Sequence, residues 1–398
     1  MAKPIITKVD QLRRAARQSV DPQLTAALDT WAALTLEHQR QIVFELVNTR
    51  ETELRLAYPE VLSIGHGFRQ ITLSRTGNIH KQAVTQEPCV ILMVKRKWTN
   101  TRKTPAMLKR ALPKHLWAFC DVRAGRGKSA RTTRRLCAVP TDIISATDYR
   151  ARPRDAPDPT SIGELVRASD TSGTRPSANG SLTVGIRAKG LPGLFALSCH
   201  HFLAMSKGFN GQPVAAATLA LQNGDALGAL SQYLGKIIRP SEGGSLDAAL
   251  ATVTDAAALR LALGSNLPSS ALEFGELPPV TVQVIAPKSI SGQPLPAAFV
   301  AAHKGFDRIR YFSSGPQPTQ ATVYEYQITA PNTESTKPGD SGCAVLNDFG
   351  NRFIGMHIGG VEKIKTISSQ RIFILPSYLL LNPDNFGLPT SSMTLWKG

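Results

Sequence analysis

Residues 337–347 read KPGDSGCAVLN, a glycine-flanked serine turn that runs straight into a short apolar stretch. The tetrapeptide Gly339-Asp340-Ser341-Gly342 arises by chance in a chain of this length roughly once in a hundred, given average residue usage. Glycines on either side of a serine let the backbone curl and leave the hydroxyl approachable. Upstream, residues 194–204 read LFALSCHHFLA, an apolar run ending in His200 and His201, and residues 245–253 read SLDAALATV, an apolar run opened by Asp247. A serine hydroxyl is a weak nucleophile at neutral pH and needs a neutral imidazole to take its proton. That imidazole in turn needs a carboxylate to hold its tautomer. The chain presents these groups in the order His201, Asp247, Ser341. Asp255 competes with Asp247, but it precedes AAALRLAL, which reads as a helix.

Around these segments the chain is a series of short Val-, Ile-, Leu- and Phe-rich runs. SLTVGIRA, GLFALSC, AALATV, VTVQVIA, ATVYEYQITA, CAVLN, RFIGMHIGG and RIFILP all lie beyond residue 180, with turns between them, as in a β-sandwich or barrel. Residues 1–58 read as a helical segment. Periodic apolar residues occupy 7–18 and 22–54, and Asp21 is a plausible N-cap before Pro22. Residues 59–146 read as a small basic α/β domain with strands at VLSIGHGF, CVILMVKRKW, HLWAFCDV and LCAVPTDIIS and a helix near 105–112. The Pro-, Ser- and Asp-rich residues 147–179 read as a linker, leaving 180–390 as the domain that carries the chemistry.

Charge is distributed unevenly. Residues 1–160 hold 28 basic and 14 acidic side chains, whereas the remainder is nearly balanced. Residues 95–135 contain 14 Lys or Arg and a single acid, Asp121. Such a field draws polyanions or acidic proteins. The loop RAGRGKSARTTRR shows no interleaved aromatic residue, so a solvated or partner-binding loop is favoured there over a nucleic-acid contact. The cysteines Cys89, Cys120, Cys137, Cys199 and Cys343 are odd in number and widely spaced. They read as free thiols, with Cys199 and Cys343 as packed side chains. The opening MAKPIITKVDQLRRAARQSV lacks a signal-peptide apolar core, and no run of 18 apolar residues occurs, so the expected compartment is the cytoplasm and no membrane contact is expected. No metal or other cofactor is expected.

Residues of about 180–385 resemble the chymotrypsin-like serine proteases. LSCHHFLA is similar to their histidine motif, LDAALA to their aspartate motif, and PGDSGCAVLN with GNRFIGMHIGG to their nucleophile loop and following strand. The resemblance implies a mainly β fold, with a two-barrel antiparallel protease domain behind the N-terminal helical and sheet region. It assigns His201, Asp247 and Ser341 as catalytic and the amides of Gly339 and Ser341 as the oxyanion hole. GMHIGG further resembles the GxHxGG segment of bacterial glutamyl endopeptidases and of viral proteases that cut after Gln. By that likeness His357, Gly359, Gly360 and Thr336 form the substrate pocket, and the expected P1 residue is Glu or Gln. The chain departs from the family in lacking a trypsin-type activation site before residue 180, which removes activation through Asp340. Restraint by residues 1–160 or a partner is expected instead.

The expectation is therefore an intracellular serine endopeptidase acting on peptide or protein substrates. A regulatory protein or nucleic acid is the expected partner of the basic 95–135 region. The alternatives are an inactive protease-fold scaffold whose basic N-terminal region binds nucleic acid or an acidic protein, and an esterase or self-cleaving protein.

Overall fold

The computed structural model describes residues 21–76, 79–95, 112–124, 131–145, 166–170, 178–203, 217–221, 226–236, 245–264, 267–287, 289, 291–306, 320–330, 335–337, 339–361 and 370–398. The chain divides into two compact units, residues 1–148 with 301–303, and residues 149–300 with 304–398.

The first unit opens with two helices, α1 (Pro22–Ala32) and α2 (Leu36–Ala57). Asp21 caps α1 by accepting from the Leu24 N–H at 3.0 Å, and Pro22 sits where no amide donor is needed. The helical stretch expected over 22–54 breaks at 33–35, where the Thr35 hydroxyl accepts from the His38 N–H at 3.3 Å and starts α2. Four strands follow: β1 (Val61–Thr76), β2 (Ile79–Val94), β3 (His115–Ala124) and β4 (Arg131–Ser145). Their order is β1-β2-β4-β3, with β2 and β4 parallel and the other two pairs antiparallel. Leu28 and Trp31 of α1 and Val47 and Leu54 of α2 share one core with Ile64, Val90, Leu92, Cys137 and Val139. The helices and the sheet share this core because the apolar stripe of the helices needs the sheet to cover it. The helix expected over 7–18, the one near 105–112 apart from residue 112, and the loop at 125–130 lie outside the described residues.

The second unit holds the remaining strands, apart from residues 301–303 within β14, in chain order β5 (Val166–Asp170), β6 (Ala178–Gly180), β7 (Gly185–Ala188), β8 (Leu194–Ser198), β9 (Ala217–Leu221), β10 (Ala226–Lys236), β11 (Ser245–Val253), β12 (Ser270–Ala271), β13 (Thr281–Val284), β14 (Leu295–Phe306), β15 (Gln320–Ile328), β16 (Ala344–Leu346), β17 (Arg352–Val361), β18 (Arg371–Pro376) and β19 (Met393–Leu395). Eight of them form one antiparallel sheet in the order β19-β7-β8-β11-β10-β9-β5-β6. Six others, β13-β16-β17-β18-β15-β14, close into a barrel because β13 also pairs with β14. Closure leaves this set no free edge. Leu194–Ser198 and Arg371–Pro376 are buried along their whole length, which explains why they read as continuous apolar runs rather than alternating ones.

Residues 166–170 and 178–180, assigned to the linker, are strands of the eight-strand sheet, paired through Val166–Gly180 and Val166–Leu221. Val166 and Ala168 supply a strand's pattern inside a polar composition, and tertiary pairing decides it. Beyond residue 390, β19 pairs with β7 through Leu395–Ile186, so the unit runs past its expected end. Asp255 caps the helix α3 (Ala256–Leu263), accepting from the Ala257 and Ala258 N–H groups at 2.8 and 3.0 Å, in keeping with the helix expected there.

One buried ion pair braces the barrel. Arg371 Nη1 donates to Glu325 Oε1 at 2.7 Å, and the two side chains are 3% and 0% exposed. Removing one partner strands the other charge in the interior. Glu325→Ala is expected to lower the unfolding free energy by about 3–5 kcal/mol in urea titration, whereas Glu325→Leu with Arg371→Met is expected to recover most of the loss.

Candidate active site

His201 follows β8 in a single helical turn, and Asp247 is the third residue of β11, the strand paired with β8. The pairing Ala249–Ser198 brings the start of β11 alongside the end of β8. Two contacts join the residues: His201 Nδ1 lies 2.8 Å from Asp247 Oδ2, and the His201 backbone N–H donates to Asp247 Oδ1 at 3.0 Å. Asp247 is 0% exposed, and the His201 side chain is 9% exposed. With Oδ2 against Nδ1, the carboxylate fixes which ring nitrogen faces it, and Nε2 is the nitrogen turned away from Asp247. Burial opposes a charge on His201, but the adjacent Asp247 carboxylate, together with Cys199, outweighs it and holds the imidazole well above the usual 6.5.

The serine turn is fixed by its own polar groups. The Asp340 carboxylate is fully buried and accepts from the Lys337 N–H at 2.6 Å, while the Asp340 N–H donates to the Lys337 carbonyl at 3.0 Å. The Cys343 N–H donates to the Asp340 carbonyl at 3.0 Å. Gly339 and Gly342 take φ values of +96° and +93°, the left-handed region that glycine enters without strain. No acceptor for the amides of Gly339 or Ser341 is found among the described residues. Two backbone donors flanking a serine hydroxyl suit an oxygen that becomes negative.

A short strap, Gly180–Thr183, ties this turn to the histidine. The Ser181 N–H donates to the Ser341 carbonyl at 3.2 Å, the Ser181 hydroxyl to the Gly339 carbonyl at 2.7 Å, and the Thr183 hydroxyl to the Gly342 carbonyl at 2.6 Å. Ser198, three residues before His201, donates its hydroxyl to the Ser181 carbonyl at 2.6 Å. A Cβ at Gly342 would fall 2.3 Å from the Ser181 carbonyl oxygen and 2.5 Å from Ser198 Oγ, and one at Gly180 would fall 2.5 Å from the Phe202 ring. These roles have no signature in the sequence. Isolated Ser and Thr residues carry no spacing signal, and only the pairing of distant segments reveals them.

His357 lies on β17, is 2% exposed, and has no hydrogen-bond partner for Nδ1 among the described residues. Its backbone carbonyl accepts from the Gly342 N–H at 2.8 Å and its N–H donates to the Cys343 carbonyl at 3.0 Å, so it is braced directly against the serine turn. Burial lowers its pKa to about 4, opposed by a hydrogen bond to the Phe373 backbone. A register irregularity separates His357 from Gly359, and Gly359 and Gly360 pair with Phe373 and Ile372. A Cβ at Gly360 would lie 2.7 Å from the Arg371 carbonyl oxygen. Thr336 is buried, and Gln370, which belongs to no motif of the sequence, holds it on both sides. The Thr336 N–H donates to Gln370 Oε1 at 2.7 Å, and Gln370 Nε2 donates to the Thr336 carbonyl at 3.2 Å.

The cysteines are all reduced and buried. Burial pushes the Cys343 thiol well above its usual range, in keeping with a packing role. Cys199 is less passive than expected, because its sulfur lies 3.6 Å from His201 Nε2. His200 is buried, and burial lowers its pKa. Among the described residues no group of three or more His, Cys, Asp or Glu is placed to hold a metal ion, and no helix is long and apolar enough to cross a membrane.

No protein-family profile matches the chain, and no curated protein matches it in sequence. Among solved structures, similarity is found to a scabies mite inactivated protease paralogue, S-I1, at 12% identity and a TM-score of 0.31, covering 56% of this chain and 95% of that one. At those values the likeness carries no argument about the chemistry.

His201 and His357 have opposite effects on stability. His201 has a raised native-state pKa, so its contribution is full below pH 6.5 and fades as pH rises through that raised value. His357 has a lowered one, so its contribution is full above 6.5 and is lost as pH falls through about 4, a change of about 3 kcal/mol. Denaturant titrations at pH 7 and pH 4 are expected to show a smaller acid loss in His357→Gln than in wild type.

Proposed function

We propose that this protein is a serine endopeptidase of chymotrypsin-like type, with its eight-strand sheet and its closed barrel serving as the two halves of the protease domain. The observation that carries the reading is the buried His201–Asp247 pair, joined by contacts of 2.8 and 3.0 Å. A serine turn is held to the same strand system by the Gly180–Thr183 strap.

In the proposed reaction Ser341 Oγ attacks the scissile carbonyl carbon while His201 Nε2 takes its proton. The carbonyl π electrons move to oxygen, and the amides of Gly339 and Ser341 receive the oxyanion, each donor lowering the barrier by roughly 3–4 kcal/mol. His201 then passes the proton to the leaving amine, the C–N bond breaks, and an acyl-enzyme remains on Ser341. Water repeats the sequence, with His201 as base and then acid, and frees the carboxylate product. Asp247 orients the imidazole and stabilises the imidazolium. Cys199, facing Nε2, helps to raise the His201 pKa, so the free base accumulates only on the alkaline side of 6.5.

Thr336, His357, Gly359 and Gly360 form the proposed P1 pocket. His357 is held neutral at pH 7 by burial, and a neutral imidazole compensates no carboxylate. A Gln side chain meets it as one neutral dipole meets another. The refined expectation within Glu or Gln is therefore Gln. We further propose a cytoplasmic setting, supported by five cysteines that form no disulfide.

The test is to expose wild type and Ser341→Ala to a fluorophosphonate probe beside a mixed peptide library. Wild type alone is expected to be labelled, with cuts after Gln outnumbering cuts after Glu at pH 7.5. Labelling with cuts after unrelated residues would remove the His357 assignment, and absence of labelling would remove the triad. Asp247→Asn is expected to reduce turnover by roughly ten-thousandfold with KM little changed. Cys199→Ala is expected to move the alkaline rise of kcat/KM to lower pH, because one of the groups that raise the His201 pKa is gone.

A further inference from the structure

The first unit carries a feature unrelated to the serine chemistry. β3 ends the strand order, and its two faces differ sharply. Leu116, Ala118, Cys120 and Val122 turn to the helices and join the core. On the other face, Trp117 and Phe119 stand two residues apart and are 38% and 63% exposed. Alternate residues on a strand lie about 6.8 Å apart on one side of the sheet, so the two rings form a row. The row is fixed in place. His115 packs edge-on against Trp117 with centroids 5.1 Å apart, and the Arg134 guanidinium lies over the Phe119 ring at 5.1 Å. The register Asp121–Arg134 and Phe119–Leu136 puts Arg134 on the same face as the rings.

The chemistry around the rings is cationic and polar rather than greasy. Thr132 and Arg134 are exposed on the ring face and Lys114 is exposed just before the strand, with Asp121 across from Arg134 and Glu45 lining the same cleft as Phe119 and Arg134. The strand sits within the sequence window 95–135, which has 14 basic residues and one acid. A lipid surface would call for more aliphatic area beside the aromatics. Strand addition by a peptide is disfavoured because the Trp117 carbonyl already accepts from Arg50 Nη1 at 3.2 Å. A ligand that offers flat π faces and regularly spaced negative charge satisfies both parts of the surface. Sheet-borne aromatics that stack bases, with cations tracking the phosphates, are how single strands are bound.

We propose that the face formed by Trp117, Phe119 and Arg134 binds single-stranded nucleic acid, the rings stacking successive bases and Arg134 contacting phosphate. This surface is independent of the proposed protease reading, and its failure would leave that reading untouched.

The experiment is fluorescence anisotropy on the full chain with labelled U20 and dT20, a 20-base-pair duplex, and heparin as a base-free polyanion. The expected result is that the single strands bind at 50 mM salt, at least tenfold tighter than the duplex, and that RNA and DNA differ less than single and double strands do. Trp117→Ala with Phe119→Ala is expected to weaken single-strand binding by roughly tenfold to a hundredfold while leaving heparin binding unchanged. Trp117→Phe with Phe119→Tyr keeps two rings and is expected to restore affinity. Arg134→Ala is expected to lower the salt slope by about 0.7, the amount for one phosphate no longer neutralised. Trp117→Phe alone, a ring-for-ring change that the fold tolerates, is expected to abolish most of the tryptophan quenching that U20 produces in wild type. Equal binding by the alanine pair, heparin competing as well as U20, quenching unchanged in Trp117→Phe, or no oligonucleotide binding at 50 mM salt while phosphatidylserine vesicles or a poly-Glu peptide bind would each overturn the proposal.

Discussion

The strap Gly180–Thr183 is the constraint on which the serine turn depends. It gives hydrogen bonds to the carbonyls of Gly339, Ser341 and Gly342 and receives one from Ser198. A turn with two left-handed glycines has little preference for one geometry by itself, because glycine loses more conformational entropy on ordering than any other residue. The strap supplies the missing restraint from outside the turn. It also joins segments more than 150 residues apart, so the turn and the His201 strand are held by the same polar atoms.

Buried charge in the second unit follows a consistent rule. Asp247 is matched by His201, Asp340 by an amide of its own turn, and Glu325 by Arg371. Each carboxylate removed from water has a donor close to it, as the cost of burying an isolated charge requires. His357 differs in that its Nδ1 has no partner among the described residues, and burial lowers its pKa to about 4. A buried polar atom left without a partner costs free energy, and such sites are retained where something binds. Buried surroundings therefore hold one histidine, His201, ready to carry charge and keep another, His357, neutral, and His357 is braced against the serine turn.

The first unit follows a different logic. Its helices cover one face of the sheet with Leu28, Trp31, Val47 and Leu54, and this leaves aromatic area exposed on β3. The exposed rings are steadied by His115 and Arg134 rather than by burial. Strong positive charge surrounds them in sequence, which is why the surface reads as a recognition face rather than an unfinished core.

Much of this is legible in the residues themselves. Asp21 before Pro22 and Asp255 before an alanine-rich run declare helix starts because capping is a local hydrogen bond. Continuous apolar runs such as LFALS and RIFILP declare buried strands because burial on both faces removes alternation. The nearness of His201 to Asp247 follows from two apolar runs with a polar residue at one end of each. Other features depend on pairings between distant segments. Sequence composition hides the strands at 166–170 and 178–180, since a polar stretch becomes a strand only when a neighbour accepts its backbone. Ser181, Thr183, Ser198 and Gln370 acquire their roles from contacts 17 to 159 residues away, and Cys199 acquires its position on Nε2 from the turn between β8 and His201. The aromatic row on β3 is hidden for a related reason. Trp117 and Phe119 alternate with core residues, and only strand register and the side on which the helices pack decide which set is left to solvent. Local chemistry is written in neighbouring residues, whereas burial, tautomer and exposed surface belong to the packed chain, because each depends on what lies across from a side chain rather than beside it.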